Sequence, residues 1–296
     1  MKILITGATG QLGRQLSRCI ETGENELGEI SKSIKSAEVM ALGSSGLDIS
    51  KIDDVLELFE KFKPDIAINS SAYTNVDACE SNIDQAFLVN AIGARNMAIA
   101  AERTGSKLIH VSTDYVFSGE GNVPFREYDL TDPKSIYGKT KNQGEEFVRQ
   151  FCKKHFIVRT SWLYGLYGGN FVKTIIKAGK ERGALKVVDD QRGNPTNVED
   201  LIYHILKLIE TEEYGTYHCT GNGECSWYDF AKLIVEFAGI NATVDPVTTD
   251  EFPRPAKRPS YSSLDNMCLR ITVGDEMRVW QEALRSFISS IDVANI

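Results

Sequence analysis

Short apolar runs of strand length alternate with amphipathic stretches of helix length through the first half of the chain. The pattern predicts strands at 2–6, 38–42, 65–72, 107–111 and 155–162. Helices are expected at about 11–20, 51–62, 84–103 and 137–152, with Pro64 ending the second of them. Ser50 and Asp53 stand in capping-box register before that same helix. Residues 23–37, polar and carrying Gly23 and Gly28, read as a surface loop or short helical insertion. Strands separated by crossover helices imply a parallel sheet covered on both faces, an α/β fold of the doubly wound kind.

Beyond 162 the alternation weakens. A helix at 171–181, a strand at 185–188, a helix opened by Thr196 with Glu199, a strand at 216–220 and a helix at 227–238 capped by Ser226 with Asp229 are expected. The reading divides the chain into 1–163, a nucleotide-binding unit to which the chain returns around 185–215, and 164–296, a smaller α/β unit for the substrate. Trp227 and Tyr228 read as core residues.

The first strand runs directly into GATGQLG, and Gly7, Gly10 and Gly13 fall three apart at the opening of the first helix. A tight turn, an open approach for a pyrophosphate and a close helix-to-strand packing each ask for a glycine at one of these positions. Free N–H groups at the helix start then face the phosphates. This points to a dinucleotide lying along Gly7, Thr9, Gly10, Gln11, Leu12 and Gly13. After the second strand comes Gly43-Ser44-Ser45-Gly46, with no acid to hold a ribose 2′-OH, so a 2′-phosphate is admitted without being demanded. Asp48 is expected either to cap the following helix or, beside Ile49, to face the adenine. The small residues Ser71 and Ala72, with Tyr73, leave room for the cofactor beyond the third strand, while Asn90 reads as a backbone brace.

Ser112 and Thr113 end the fourth strand, where either hydroxyl could donate to a substrate carbonyl. Tyr137 and Lys141, four apart on the next helix, share one face. An ammonium and a positively charged cofactor ring near a phenol would lower its pKa towards working pH and suit it to proton transfer. The order of glycine turn, hydroxyl-bearing strand end and YGKTK helix is more specific than any one piece.

Composition narrows the classes. With 33 basic and 41 acidic side chains among 296 residues, the net charge of −8 and the lack of a dense basic run disfavour nucleic acid and anionic membrane as partners. No segment is apolar enough to span a bilayer, no signal segment is read at the start, and the cytosol is the expected compartment. Six scattered cysteines without a CxxC pair read as free thiols, and no metal site is expected. His110, His155 and His218 read as packed strand residues. The proline-stiffened FPRPAKRPSYSS, with Arg254, Lys257 and Arg258, is either a solvated linker or a phosphate clamp.

Taken together, TGATGQLG, STDYVFSG, YGKTK, RTSWLYG, DQRGNPT and FPRPAKRPSYS resemble the extended short-chain dehydrogenase/reductases, and within them the dTDP-4-dehydrorhamnose reductase family, over nearly the whole chain. The resemblance implies a Rossmann-type sheet and NADPH or NADH as cofactor. It implies reduction of the C4 keto group of a nucleotide sugar, with a homodimer left open. Tyr137 would be the proton donor, Lys141 would hold the nicotinamide ribose and tune Tyr137, and Thr113 would bond the C4 carbonyl oxygen. Asp114, Tyr115, Trp162 and Arg258 would line the substrate, Trp162 near the sugar and Arg258 at the diphosphate. Related 4,6-dehydratases follow this threonine with Asp-Glu. Here Tyr115 stands in place of the glutamate, so simple reduction is expected. Within the same family, a regulatory subunit resembling the β subunit of methionine adenosyltransferase is the alternative.

Overall fold

The computed structural model describes residues 1–296. Six strands, β1 (Lys2–Thr6), β2 (Glu38–Leu42), β3 (Ile66–Asn69), β4 (Lys107–Thr113), β5 (His155–Thr160) and β6 (Gly215–His218), form one parallel sheet in the order β6-β5-β4-β3-β1-β2. Chain order reverses between β1 and β3, and that switch point opens a crevice beyond the strand ends. Around the sheet lie α1 (Gln11–Thr22), α2 (Ile52–Phe62), α3 (Gly93–Thr104), α4 (Ile136–Phe151) and α6 (Val198–Ile209). The second half adds α5 (Phe171–Arg182), α7 (Trp227–Phe237) and α8 (Trp280–Ser290).

The two-residue side-chain period of each strand decides which layer it serves. Ile3, Ile5, Ile109 and Val158 pack with α1 and α6 in one core. Leu4, Ala67, Leu108 and Ile157 pack with α2, α3 and α4 in another. A third core, with Tyr164, Val172, Phe230 and Leu284, gathers α5, α7 and α8 away from the sheet.

Several boundaries differ from the sequence reading, each for a local reason. The expected strand at 65–72 ends at Asn69, because Ser70 and Ser71 bend the chain toward the glycine turn. The helix expected at 84–103 is interrupted by a π-helical turn at Leu88–Ile92. Ser50 does not cap α2; its hydroxyl donates instead to Asp48 at 2.7 Å, and Lys51 occupies the cap position without a side-chain bond. Thr196 likewise yields to Asn197, whose side chain accepts the Glu199 N–H at 3.0 Å, because Thr196 is extended in a short strand. The Ser226–Asp229 capping box is present.

On the face under α4, the sheet carries a polar layer where a core would ordinarily be apolar. Register places Thr6, Asn69 and His110 across β1, β3 and β4, and Ser112, Arg159 and His218 across β4, β5 and β6. Glu145 of α4, fully enclosed, accepts from Arg159 Nε at 2.9 Å and Nη2 at 2.7 Å, and from Arg149 at 2.8 Å. Burial alone would raise its pKa, yet the two guanidinium groups hold the carboxyl down at about 2. Glu145→Gln would leave Arg159, 2% exposed, without its counter-charge. The variant is expected to lose about 3–5 kcal/mol of unfolding free energy in urea at pH 7; a loss under about 1 kcal/mol would contradict this account of the pair.

Candidate active site

The glycine turn is built by close approach. Gly7 has φ +71°, and a Cβ there would lie 2.7 Å from the Ser70 carbonyl carbon. At Gly13 a Cβ would come within 2.4 Å of the Gly7 oxygen, so α1 packs against the turn itself. Gly10 is exposed and opens α1 with no side-chain cap and no acid in the first turn, which leaves N–H groups for phosphate. Thr9 is also exposed, and its methyl would touch a Cβ at Gly43. A cavity of about 350 Å³ beyond β2 is bounded by Ser44, Ser45, Asp48 and Lys51, with no acid directly at the strand end. These features fit a dinucleotide.

Not every sequence-assigned cofactor residue turns a side chain to that site. Leu12 is buried in the α1 core. Gln11 turns to the second half of the chain, donating to the Leu163 carbonyl at 3.2 Å and accepting from Asn170 at 3.0 Å. Ile49 packs on Gly93, where a Cβ would sit 2.6 Å from its Cδ1. Asp48 is exposed, its carboxylate held by Ser50. Asn90 is the brace expected of it. Its amide accepts the Tyr73 N–H at 2.8 Å and donates to the Tyr73 carbonyl at 3.2 Å, fixing the 71–73 segment against α4. The π-helical turn brings the Asn90 backbone close to α4, where a Cβ at Gly144 would lie 2.3 Å from the Asn90 backbone carbonyl oxygen.

At the end of β4, Thr113 and Tyr137 come within hydrogen-bond reach. Ser135 caps α4 through the Gly138 N–H at 3.1 Å and so sets where Tyr137 starts the helix. Lys141, 2% exposed, donates from Nζ to the Val111 carbonyl at 2.6 Å. Desolvation lowers its pKa to about 8, opposed by the charge of Glu145. Tyr137 differs from the sequence expectation. Its phenol is pushed up rather than down, because burial dominates and the neighbouring Asp114 and Tyr115 add to it. The Lys141 ammonium is committed to the strand, so no positive group offsets that burial in the chain by itself.

Thr113 also differs. Its hydroxyl donates to Asp114 Oδ1 at 2.8 Å and accepts the Tyr115 N–H at 3.3 Å. Asp114, 3% exposed, has a pKa raised to about 6 by burial, with bonds from Ser262 and Thr113 opposing the rise.

Tyr115 packs edge-on against Tyr137, ring centroids 5.5 Å apart, and its hydroxyl accepts from Arg258 at 3.1 Å. Arg258 is also paired with Asp77 at 2.8 Å, and Asp77 accepts the Ala256 N–H. Arg258 and Lys257 border a cavity of about 100 Å³ with Tyr115, Lys134 and Ser260. Within the basic segment the residues part ways: Arg254 stays over the Phe252 ring, while Arg258 is drawn into the site. Trp162 has φ +47°, a left-handed backbone that costs a non-glycine residue about 1–3 kcal/mol. Its ring stacks on Trp227 at 3.5 Å, so Trp227 serves as a platform as well as a core residue. The sequence reading passed over Glu145 and Asp77, and read Trp227 as core alone. Only Glu145 left a signal, four residues beyond Lys141 on the same helical face.

A family profile described as RmlD substrate binding domain matches residues 1–293. The chain is 42% identical to the spore coat polysaccharide biosynthesis protein SpsK of Bacillus subtilis, over 97% of this chain and 96% of that protein. A crystal structure of a dTDP-4-dehydrorhamnose reductase from Clostridium acetobutylicum superposes with TM-score 0.92 at 48% identity, covering 98% of this chain and 99% of the other. The Bacillus anthracis dTDP-4-dehydrorhamnose reductase in complex with NADP gives TM-score 0.91 at 44% identity, with the same coverage.

The Asp114 carboxyl gives a pH test. A carboxyl with a folded pKa near 6, above its ordinary 3.8, binds its proton more tightly in the native state. Stability therefore falls as pH rises from about 4 to 6 and stays lower above that. Asp114→Asn removes this penalty. The variant is expected to unfold at higher urea than the parent at pH 7.5, by about 1–3 kcal/mol, with the advantage shrinking by pH 4. An equal or lower midpoint at pH 7.5 would count against it.

Proposed function

Since the chain belongs to the RmlD substrate-binding-domain family, that of the dTDP-4-dehydrorhamnose reductases, we propose that it reduces the C4 keto group of dTDP-4-dehydro-L-rhamnose to give dTDP-L-rhamnose. The observation that carries this is the meeting of Thr113, Tyr137 and Lys141 at the end of β4, beside a glycine turn shaped for a dinucleotide. NADPH or NADH, when bound, supplies the hydride that goes to C4. Gly7, Thr9, Gly10 and Gly13 hold the phosphates, and Asp48, Ser71, Ala72 and Tyr73 flank the rest of the dinucleotide.

Tyr137 gives its proton to the oxygen as C4 becomes tetrahedral, so carbonyl, hydride and proton together make the secondary alcohol. A phenol kept protonated by burial is loaded for that task. In the chain alone the Thr113 hydroxyl donates to Asp114; with substrate present it turns to donate to the C4 oxygen beside Tyr137. Lys141 holds the nicotinamide ribose. Arg258 takes the diphosphate, with Tyr115 steadying its guanidinium. Trp162, braced by Trp227, walls the sugar. The regulatory-subunit alternative is not favoured, since the Clostridium acetobutylicum and Bacillus anthracis relatives, at 48% and 44% identity, are dTDP-4-dehydrorhamnose reductases.

The working units are 1–163, with the return around 185–215, for the cofactor, and 164–296 for the substrate. The enzyme works in the cytosol, which the six free thiols support. No helix is long and apolar enough to cross a membrane. It acts as a homodimer, supported by Ile83, Phe87 and Leu88 exposed together on one turn of chain; light scattering showing a monomer at assay concentration would remove that reading.

Tyr137→Phe is expected to lower kcat about 10²–10⁴-fold while NADPH affinity and the unfolding midpoint stay unchanged. Arg258→Ala is expected to raise KM for the nucleotide sugar by at least tenfold, with a smaller effect on kcat. Cofactor oxidation on adding the 4-keto sugar nucleotide, with the alcohol identified as product, tests the reading itself. No oxidation with either NADPH or NADH would refute it.

A further inference from the structure

The polar layer under α4 contains a hydrogen-bond chain whose direction can be worked out. Asn69, 1% exposed, has one amide atom 3.2 Å from the Ser71 backbone N–H and 2.8 Å from the Thr6 hydroxyl. A backbone N–H can only donate, so that atom is the Asn69 oxygen. The other is therefore the NH₂ group, which faces His110 Nδ1 at 3.2 Å. His110 Nδ1 must accept, and the ring proton sits on Nε2. Burial, aided by the charge of Lys141, holds His110 well below its ordinary pKa, so the ring stays neutral.

That Nε2–H is enclosed and has no protein partner, and Ser112 Oγ, whose proton faces the Glu145 carboxylate, accepts from no protein donor. His110 and Ser112 are two apart on β4, so both project toward α4. Between them, at the Val111 carbonyl, lies Lys141 Nζ. Of the three ammonium protons, one is used there. The charged or titratable groups facing this point are Lys141, Glu145 and Arg149 from α4, and His155 and Arg159 from β5.

We propose that His110 and Ser112 are positioning residues for Lys141, together forming an enclosed binding site for one water that accepts from His110 Nε2–H and from the ammonium and donates to Ser112 Oγ. Such a water has the number of polar partners that buried waters usually find. It holds Nζ in the direction needed for the ribose and repays part of the desolvation of its charge. The row Thr6, Asn69, His110 orients the ring, and the ring orients the lysine. The proposal rests on the cofactor role given to Lys141 above.

The test measures NADPH binding against pH by nicotinamide fluorescence, with kcat measured in parallel. Affinity is expected to fall as pH rises and Lys141 loses its charge. In His110→Phe, which keeps ring volume without the N–H, the midpoint of that fall should move down by about one pH unit. His110→Gln, which restores an amide N–H, should bring it back. Ser112→Ala should move it in the same direction and guards against a His110→Phe that does not fold. Unshifted midpoints in His110→Phe and Ser112→Ala, or a His110→Gln as shifted as His110→Phe, would overturn the proposal. A wild type that binds NADPH yet leaves the sugar unreduced would refute the reductase reading, while the binding midpoints still decide this one.

Discussion

One buried ammonium sets the terms for the rest of the site. Lys141 is 2% exposed, and a lone charge at such a place would ordinarily shed its proton. Here desolvation takes it to about 8, opposed by the charge of Glu145 one turn along the helix, while Nζ donates to the Val111 carbonyl. Glu145 in turn stays charged only through Arg159 and Arg149. The layer thus holds three positive groups against one carboxylate. Asp114, just past the end of β4, adds a second carboxylate outside that layer.

These charges do not ionise Tyr137, and this suits the direction of the chemistry. A donor must arrive with its proton. Burial keeps the Tyr137 phenol protonated, and in the chain alone the Thr113 hydroxyl donates to the Asp114 carboxyl beside it. Asp77 plays a comparable part farther out, holding the Arg258 guanidinium at 2.8 Å beside Tyr115.

The parts legible in the sequence are those encoded by neighbours along the chain. The glycine turn, the strand periods and the four-residue spacing of Tyr137 and Lys141 are local patterns, and the structure builds each where the pattern placed it. Caps were less legible. Ser50 had two local acids to serve and chose Asp48, and Thr196 lost its cap to Asn197 because strand pairing with Leu163 extended it. Least visible was the polar layer. Ser112, Arg159 and His218 are far apart in sequence and become one row only when β4, β5 and β6 pair in register. Trp162 belongs with these, since neither its left-handed backbone nor its stack on Trp227 leaves a trace in residue spacing.

The central claim is that Tyr137 stays protonated in the chain alone and becomes ionisable near working pH only when positive charge from the dinucleotide joins Lys141. Tyrosinate difference absorbance across a pH titration tests it, comparing the parent with Tyr137→Phe, each with and without NADP⁺. The account predicts one additional phenolate at near-neutral to mildly alkaline pH in the parent with NADP⁺, missing from Tyr137→Phe and from both proteins without the nucleotide. A Tyr137 phenolate already present at that pH without NADP⁺ would contradict it.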